Sequence, residues 1–207
     1  MKDIPIFTGC DGIATLILRQ IPYRGEAYVL VRSVFTSLEA CLHECESFCR
    51  AAGADRVYFS GNADFSDYCV YASLIERRIL RSQLPQTTAL AIPTQTPDEW
   101  VQLYHERFRN VPAASCCRTA EKAYDIVKDG IRIGIGQIDG DRILSLASIA
   151  RGNGTDCLCA LAKLCEGDTL RLLCAQQNIP AMKLYDKLGF SRGETKEVWY
   201  CKKTLAI

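Results

Sequence analysis

The sequence predicts an α/β protein: a mixed, mostly antiparallel sheet flanked by helices, preceded by a smaller αβ half-domain. Three observations carry this. Ala123–Val127, Ile131–Ile138 and Arg142–Ile149 are strand-patterned runs joined by Asp129-Gly130 and Asp139-Gly140, dipeptides that favour tight hairpins. Helical and strand periods then alternate as far as Phe190. Between Arg81 and Asp98, Ser82–Pro97 carries no charge and is rich in Pro, Gln and Thr, which places a boundary there. The expected division is 1–84 for the αβ half-domain and 85–207 for the larger domain.

In the first part, Ile13–Ile21 and Glu26–Ser33 read as strands around the turn Pro22-Tyr23-Arg24-Gly25. Thr36-Ser37-Leu38-Glu39 reads as a capping box with Thr36 as the cap. Leu38, Cys41, Leu42, Cys45, Phe48, Cys49 and Ala52 follow at helical steps, and Gly53 is a suitable stop. Arg56–Ser60 is a short strand, and Asp67–Arg81, carrying Val70, Leu74, Ile75 and Leu80, is expected to be a helix. Cys41, His43, Cys45 and Cys49 have the residue types of a zinc site, but the three cysteines share the stripe of Leu38 and Phe48, so they are assigned to core packing and no metal is expected.

In the second part, Thr88–Ile92 reads as a strand. Pro97-Asp98-Glu99 opens a helix with Trp100, Leu103, Tyr104 and Phe108 on its apolar face, ended by Val111-Pro112. Thr119–Ala123 is expected to be a second short helix or a turn. The three strands come next, then a helix after Arg151, a strand at Thr169–Ala175, a helix ending at Gly189, and a last strand at Glu197–Thr204. His105 falls on the first helix without a recognisable partner and is assigned no catalytic role.

With 48% hydrophobic and 24% charged residues the chain has ordinary globular composition. A net charge of +1 without like-charge runs argues against nucleic acid and against a membrane surface as partners. The twelve cysteines lie within apolar periodic segments and fit reduced thiols. Together with an N-terminus lacking the pattern of a signal peptide, this leads to the expectation of a cytoplasmic protein.

Two motifs stand in Arg151–Phe190. Arg151-Gly152-Asn153-Gly154 is a glycine turn between strand and helix, an arrangement that directs backbone N–H groups and a helix N-terminus at an anion. Further on stands Asn178-x-x-Ala181-x-x-Leu184-Tyr185-x-x-x-Gly189-Phe190. The pair, in this order, resembles the R-x-x-G-x-G/A turn and the second signature of the GCN5-related N-acetyltransferases (GNAT), and the element order from about Thr88 to Lys203 is similar to that family's. The part before it looks like a degenerate partial copy of the same fold, in element order only. An unrelated αβ extension is the alternative there.

The resemblance implies acetyl-CoA as acyl donor and a primary amine, on a small molecule or peptide, as acceptor, in a monomer or homodimer. It implies a sheet that opens between Arg142–Ile149 and Thr169–Ala175, with Leu146, Ala147, Ser148 and Ile149 along the cofactor arm. Arg151, Gly152, Asn153, Gly154 and Thr155 would then hold the pyrophosphate, with Asn178 and Ala181 beside the arm and Tyr185 as the general acid. Each has a plainer alternative: an ordinary strand-to-helix turn at Arg151–Thr155, a helix N-cap at Asn178, a packed helix aromatic at Tyr185. Asp156 departs from the Gly or Ala that ends the family's turn, and its carboxylate would oppose an anion docked there. A GNAT-shaped acyl-CoA-binding or regulatory module without turnover is the other functional expectation.

Overall fold

The computed structural model describes residues 1–203, so that of the expected final strand only Thr204 lies outside the described residues. The chain divides into two compact units, Leu74–Lys196 and, around it, Met1–Ser73 with the tail from Glu197. The sequence boundary at 84/85 therefore differs from the structural division. The reason is Asp67–Arg81: the expected helix is a strand, β5 (Cys69–Leu80), which runs from one unit into the other. From Arg77 onward its burial alternates, with Arg77 and Ile79 buried and Arg78 and Leu80 exposed, the two-residue period of a strand.

The first unit contains β1 (Ile4–Thr8), β2 (Gly12–Ile17), α1 (Ile21–Arg24), β3 (Glu26–Val34), α2 (Leu38–Ala51) and β4 (Arg56–Gly61). Its strands follow the order β1, β2, β3, β4, and β4 also pairs with the end of β11 (Ser191–Cys201) at Tyr200. β1 has no counterpart in the sequence reading, because Pro5 interrupts its pattern, as an edge strand tolerates. Pro22–Gly25, expected as a turn, forms most of the single helical turn α1. The N-cap of α2 is Ser37, whose hydroxyl accepts from the Ala40 N–H, and not Thr36, whose hydroxyl donates to Asp11. Cys41, Cys45 and Cys49 are buried with Leu42 against Leu16, Val29 and Phe59, and His43 is exposed, in keeping with core packing.

The second unit contains β6 (Leu90–Pro93), α3 (Pro97–Phe108), β7 (Ala123–Lys128), β8 (Ile131–Asp139), β9 (Arg142–Ser148), α4 (Gly154–Ala162), β10 (Thr169–Ala175) and α5 (Ile179–Leu188). Its sheet runs β6, β7, β8, β9, β10, β5, antiparallel throughout except for the parallel pair β9 and β10. Of the short helix or turn expected at Thr119–Ala123 the chain takes the turn, at Glu121 and Lys122: from Arg109 to Lys122 it crosses without a helix, with Pro112 fixed in φ and Ala113 and Lys122 at positive φ.

Two cores flank this sheet. Trp100 and Tyr104 of α3 pack on Ala123 and Ile135 on one face. On the other, Cys157, Leu158 and Leu161 of α4 lie against Ile126, Ile138 and Leu170. Glycines in β8 permit this close approach: a Cβ on Gly136 would lie 2.3 Å from Leu161 Cδ1 and 2.9 Å from the Ser145 carbonyl oxygen.

From β5, Arg77 reaches α5 at 0% exposure. Its Nη2 donates to Asp186 Oδ1 at 2.6 Å and to the Phe190 carbonyl at 2.8 Å, and its Nε is buried without a hydrogen-bond partner among the described residues. Asp186→Ala would leave this guanidinium the Phe190 carbonyl and the Met182 sulfur, and is expected to lower the midpoint of urea unfolding. An unchanged midpoint would mean that those two contacts suffice. Gly136→Val should destabilise by roughly 2 kcal/mol through overpacking against α4, read from the melting temperature.

Candidate functional site

The site begins at an irregularity in β9. Gln137 pairs with Ser145 and Ile138 with Ile143, so β9 carries one extra residue, Leu144, opposite β8. Such a bulge bends its strand and interrupts pairing. On its other side β9 meets β10 only at Arg142 with Arg171 and Ile143 with Leu172, and the two strands part immediately beyond. The joined end is fixed by ionic contacts, with Arg171 Nε donating to Asp141 Oδ2 at 2.5 Å. In the first unit the parallel pair β3 and β4 stays joined through six residues, Glu26 with Arg56 to Val31 with Gly61. The opening thus belongs to β9 and β10.

A cavity of about 700 Å³ lies at this opening. Leu144, Ser145 and Leu146 line it from β9, Leu172–Ala175 from β10, and Asn178, Ala181 and Tyr185 from the passage into α5. Its other lining comes from Leu74 of β5, Tyr104 and Phe108 of α3, Ile143 of β9, the stretch from Val111 to Lys122 except Ala120, and Gln137 and Asp139 of β8. Past Ile143 and Leu172 the facing backbone groups of the two strands have no ladder partner among the described residues. Buried N–H and C=O groups require partners, so an extended ligand that pairs like a strand suits them.

Tyr185 is buried, in ring contact with Phe190 at 5.3 Å between centroids, and it also lines the cavity. Burial, with the neighbouring Cys174, pushes its phenol well above the usual tyrosine range, and the Arg77 guanidinium opposes this in part. The phenol is thus protonated across the neutral range. Cys174 also lines the cavity, and burial pushes its thiol up to about 11, which keeps it a thiol and a poor nucleophile. Asn178 caps α5, its Oδ1 accepting from the Ala181 N–H at 3.4 Å, while facing the cavity, so the capping and lining roles coexist.

The glycine turn lies at the start of α4. Gly152 adopts φ +97° with open space where a Cβ would stand, and Asn153 caps the helix without a side-chain bond. A Cβ on Gly154 would come within 3.1 Å of Leu184 Cδ2. Asp156 is engaged elsewhere: Lys128 Nζ donates to its Oδ2 at 2.8 Å and the Thr87 hydroxyl to its Oδ1 at 2.6 Å. These bonds hold its carboxyl below the usual carboxylate range, and the lysine offsets its charge. The opposition to an anion expected from sequence is therefore reduced.

Of the residues singled out in the sequence, the structure brings Leu146, Asn178, Ala181 and Tyr185 to one cavity. Ala147, Ser148 and Ile149 do not line it: Ala147 packs toward the Trp100 core, Ser148 donates to the Ala150 carbonyl, and Ile149 donates its N–H to Ile133. Arg151, Gly152, Asn153, Gly154 and Thr155 form the turn outside the lining. The wall from Val111 to Lys122 was missed in the sequence. Its only marks there are the helix end at Val111-Pro112 and the short helix or turn at Thr119–Ala123, neither of which points to a site. Gln137 joins this wall to the sheet, donating to the Glu121 carbonyl at 3.1 Å and accepting from Ser145 at 3.4 Å. His105 lies behind the wall, its Nε2 2.8 Å from the Cys117 carbonyl oxygen.

No protein-family model matches the chain, and no curated protein sequence matches it. Solved structures do. A GCN5-related N-acetyltransferase from Kribbella flavida is 12% identical, with a TM-score of 0.51 over 96% of this chain and 90% of its own. Another from Sphaerobacter thermophilus is 13% identical, with a TM-score of 0.50 over 92% and 76%. A conserved protein of unknown function from Staphylococcus epidermidis is 8% identical, with a TM-score of 0.56 over 96% and 93%. At such identities the likeness concerns the fold alone: the chain has the fold of the GCN5-related N-acetyltransferases.

Proposed function

We propose that the protein is an N-acetyltransferase that moves an acetyl group from acetyl-CoA to a primary amine by direct attack. One observation carries the proposal: the parting of β9 and β10 beyond Ile143 and Leu172, with Tyr185 lining the cavity at that opening. Acetyl-CoA would supply an activated acyl thioester.

The chain's own part is to hold, orient and deliver a proton. The edges of Leu144–Leu146 and Leu173–Ala175 offer backbone donors and acceptors to an extended amide-containing arm. The turn Arg151–Thr155 offers the N–H groups of a helix start and a guanidinium for a pyrophosphate, with Asp156 bonded to Lys128. Holding both reactants in one cavity lowers the barrier by removing their translational freedom. Tyr185 Oη carries its proton throughout the neutral range and is the cavity's proton source on the α5 side. Among the described residues no carboxylate stands beside it as an obvious base, and we assign none. A cytoplasmic setting, in which all twelve cysteines stay reduced, belongs to the same proposal. The described residues contain no helix long and apolar enough to cross a membrane.

Tyr185→Phe should lower kcat by about 10²-fold or more, with the calorimetric affinity for acetyl-CoA within twofold of the unsubstituted protein. Equal turnover would remove the acid role, and affinity without turnover in the unsubstituted protein would favour a binding module. Gly154→Leu, which presses a side chain on Leu184 at the start of α4, should weaken acetyl-CoA binding at least tenfold by calorimetry. Unchanged affinity would detach the turn from the cofactor.

A further inference from the structure

The twelve cysteines are all free, but their surroundings differ. Most are buried: on α2, burial pushes the thiols of Cys45 and Cys49 up to about 12, which makes them inert. Cys69 is exposed and Cys201 half-buried, and these two stand together, with Cys201 Sγ 3.7 Å from the Cys69 carbonyl oxygen. Cys69 opens β5 and Cys201 closes β11, neighbouring strands of the sheet. The contacts between them run antiparallel. The Ser191 hydroxyl donates to the Arg78 carbonyl, a Cβ on Gly193 would press on the Glu76 carbonyl oxygen, and at the far end Cys201 meets Cys69. Residues that face each other on antiparallel strands have Cα atoms about 4.5–5.5 Å apart, within the roughly 4.4–6.8 Å that a disulfide spans. A bridge between these two asks for side-chain rotation more than for backbone movement.

The place of the pair gives a bond there a consequence. β5 leaves the first unit after Ser73 and β11 returns to it at Glu197, so that unit is made of two separate stretches of chain. Its returning tail is held by non-covalent contacts: Tyr200 pairs with Phe59 and stacks on Phe65 at 4.7 Å between ring centroids, and Trp199 meets Tyr28 edge-on at 4.9 Å. Cys69 and Cys201 are 132 positions apart in sequence, so a bond between them would restrict the unfolded chain strongly.

We propose that Cys69 and Cys201 form a reversible dithiol site that a low-molecular-weight disulfide such as oxidised glutathione closes, fastening the returning tail to the rest of the first unit. The proposal is independent of the acetyl-transfer reading. The exposed Cys69, as thiolate, attacks one sulfur of the oxidant, forms a mixed disulfide and releases one glutathione thiolate. Cys201, whose thiol is held above the usual range by burial and by Cys69 nearby, reacts second. Its thiolate attacks the Cys69 sulfur, the Cys69–Cys201 bond forms, and the second glutathione thiolate leaves. Two electrons pass from the cysteines to the oxidant, and the two thiol protons end on the released glutathione. In a reducing setting the pair rests open.

The test incubates the reduced full chain with oxidised glutathione, blocks the remaining thiols with N-ethylmaleimide in denaturant, and maps peptides by mass spectrometry. The expected result is a peptide linked through Cys69 and Cys201 within one chain, with two of the twelve cysteines protected from the label and full labelling restored by dithiothreitol. The melting temperature should rise by about 5 °C or more on oxidation and fall back on reduction, with no rise in Cys201→Ser. Cys69 found as a stable glutathione adduct in the unsubstituted chain, linked to any other cysteine, or joined to a second copy overturns the pairing. Full labelling of all twelve after oxidation overturns the site. A melting temperature unmoved by oxidation, or a rise that persists in Cys201→Ser, overturns the fastening. Peptide mapping of the unsubstituted chain decides the pairing whether or not the variant folds.

Discussion

The candidate site depends on a defect in pairing. A parallel ladder between β9 and β10 as long as that between β3 and β4 would fill the opening with hydrogen bonds and leave nothing to bind. What prevents this is one extra residue: Leu144 bends β9, and the two strands separate after two paired positions. The bonds forgone there must be recovered from water or a ligand, which makes the parted edges costly as architecture and useful as a site. The joined end is therefore held firmly, by Arg171 on Asp141 and by Arg142 near Glu76.

The helices on the two faces of the sheet serve the opening differently. α4 must lie close to β8 so that its first turn meets the end of β9, and Gly134 and Gly136 make the room, since a Cβ at either would press on Cys157 or Leu161. α5 is held from β5, where Arg77 binds both Asp186 and the carbonyl of Phe190 and so fixes the two ends of the last helical turn around Tyr185. A buried guanidinium whose Nε has no hydrogen-bond partner among the described residues adds little to stability by itself. Its positive charge also moderates the rise that burial imposes on the phenol, so one residue affects both the position of Tyr185 and its acidity.

Much of this was legible in the sequence, for identifiable reasons. Asp-Gly turns and two-residue periods gave the three strands of the second unit close to their true limits, because each strand has a buried face and a turn of specific chemistry at its end. Thr169–Ala175 coincides with β10. Tyr185, Asn178 and Ala181 were found through a motif, and they line the cavity. β5 was misread since Glu76-Arg77-Arg78 looks like the solvated face of a helix, whereas Arg77 is wholly buried by a partner more than a hundred residues distant in sequence. Local pattern carries no trace of such a partner.

The bulge and the wall from Val111 to Lys122 mark the other limit of sequence reading. Leu144 sits within an unbroken apolar alternation, and only its register against Gln137 and Ile138 reveals that β9 has a residue too many. The wall has neither helical nor strand period; its conformation comes from Pro112, from positive φ at Ala113 and Lys122, and from side-chain bonds to Gln137 on a strand that follows it. Motifs fix the half of the cavity that faces the α5 helix, because that half is built from contiguous residues. The half that would meet an acceptor is assembled from separate pieces, and its selectivity is a property of the fold before it is a property of any one segment.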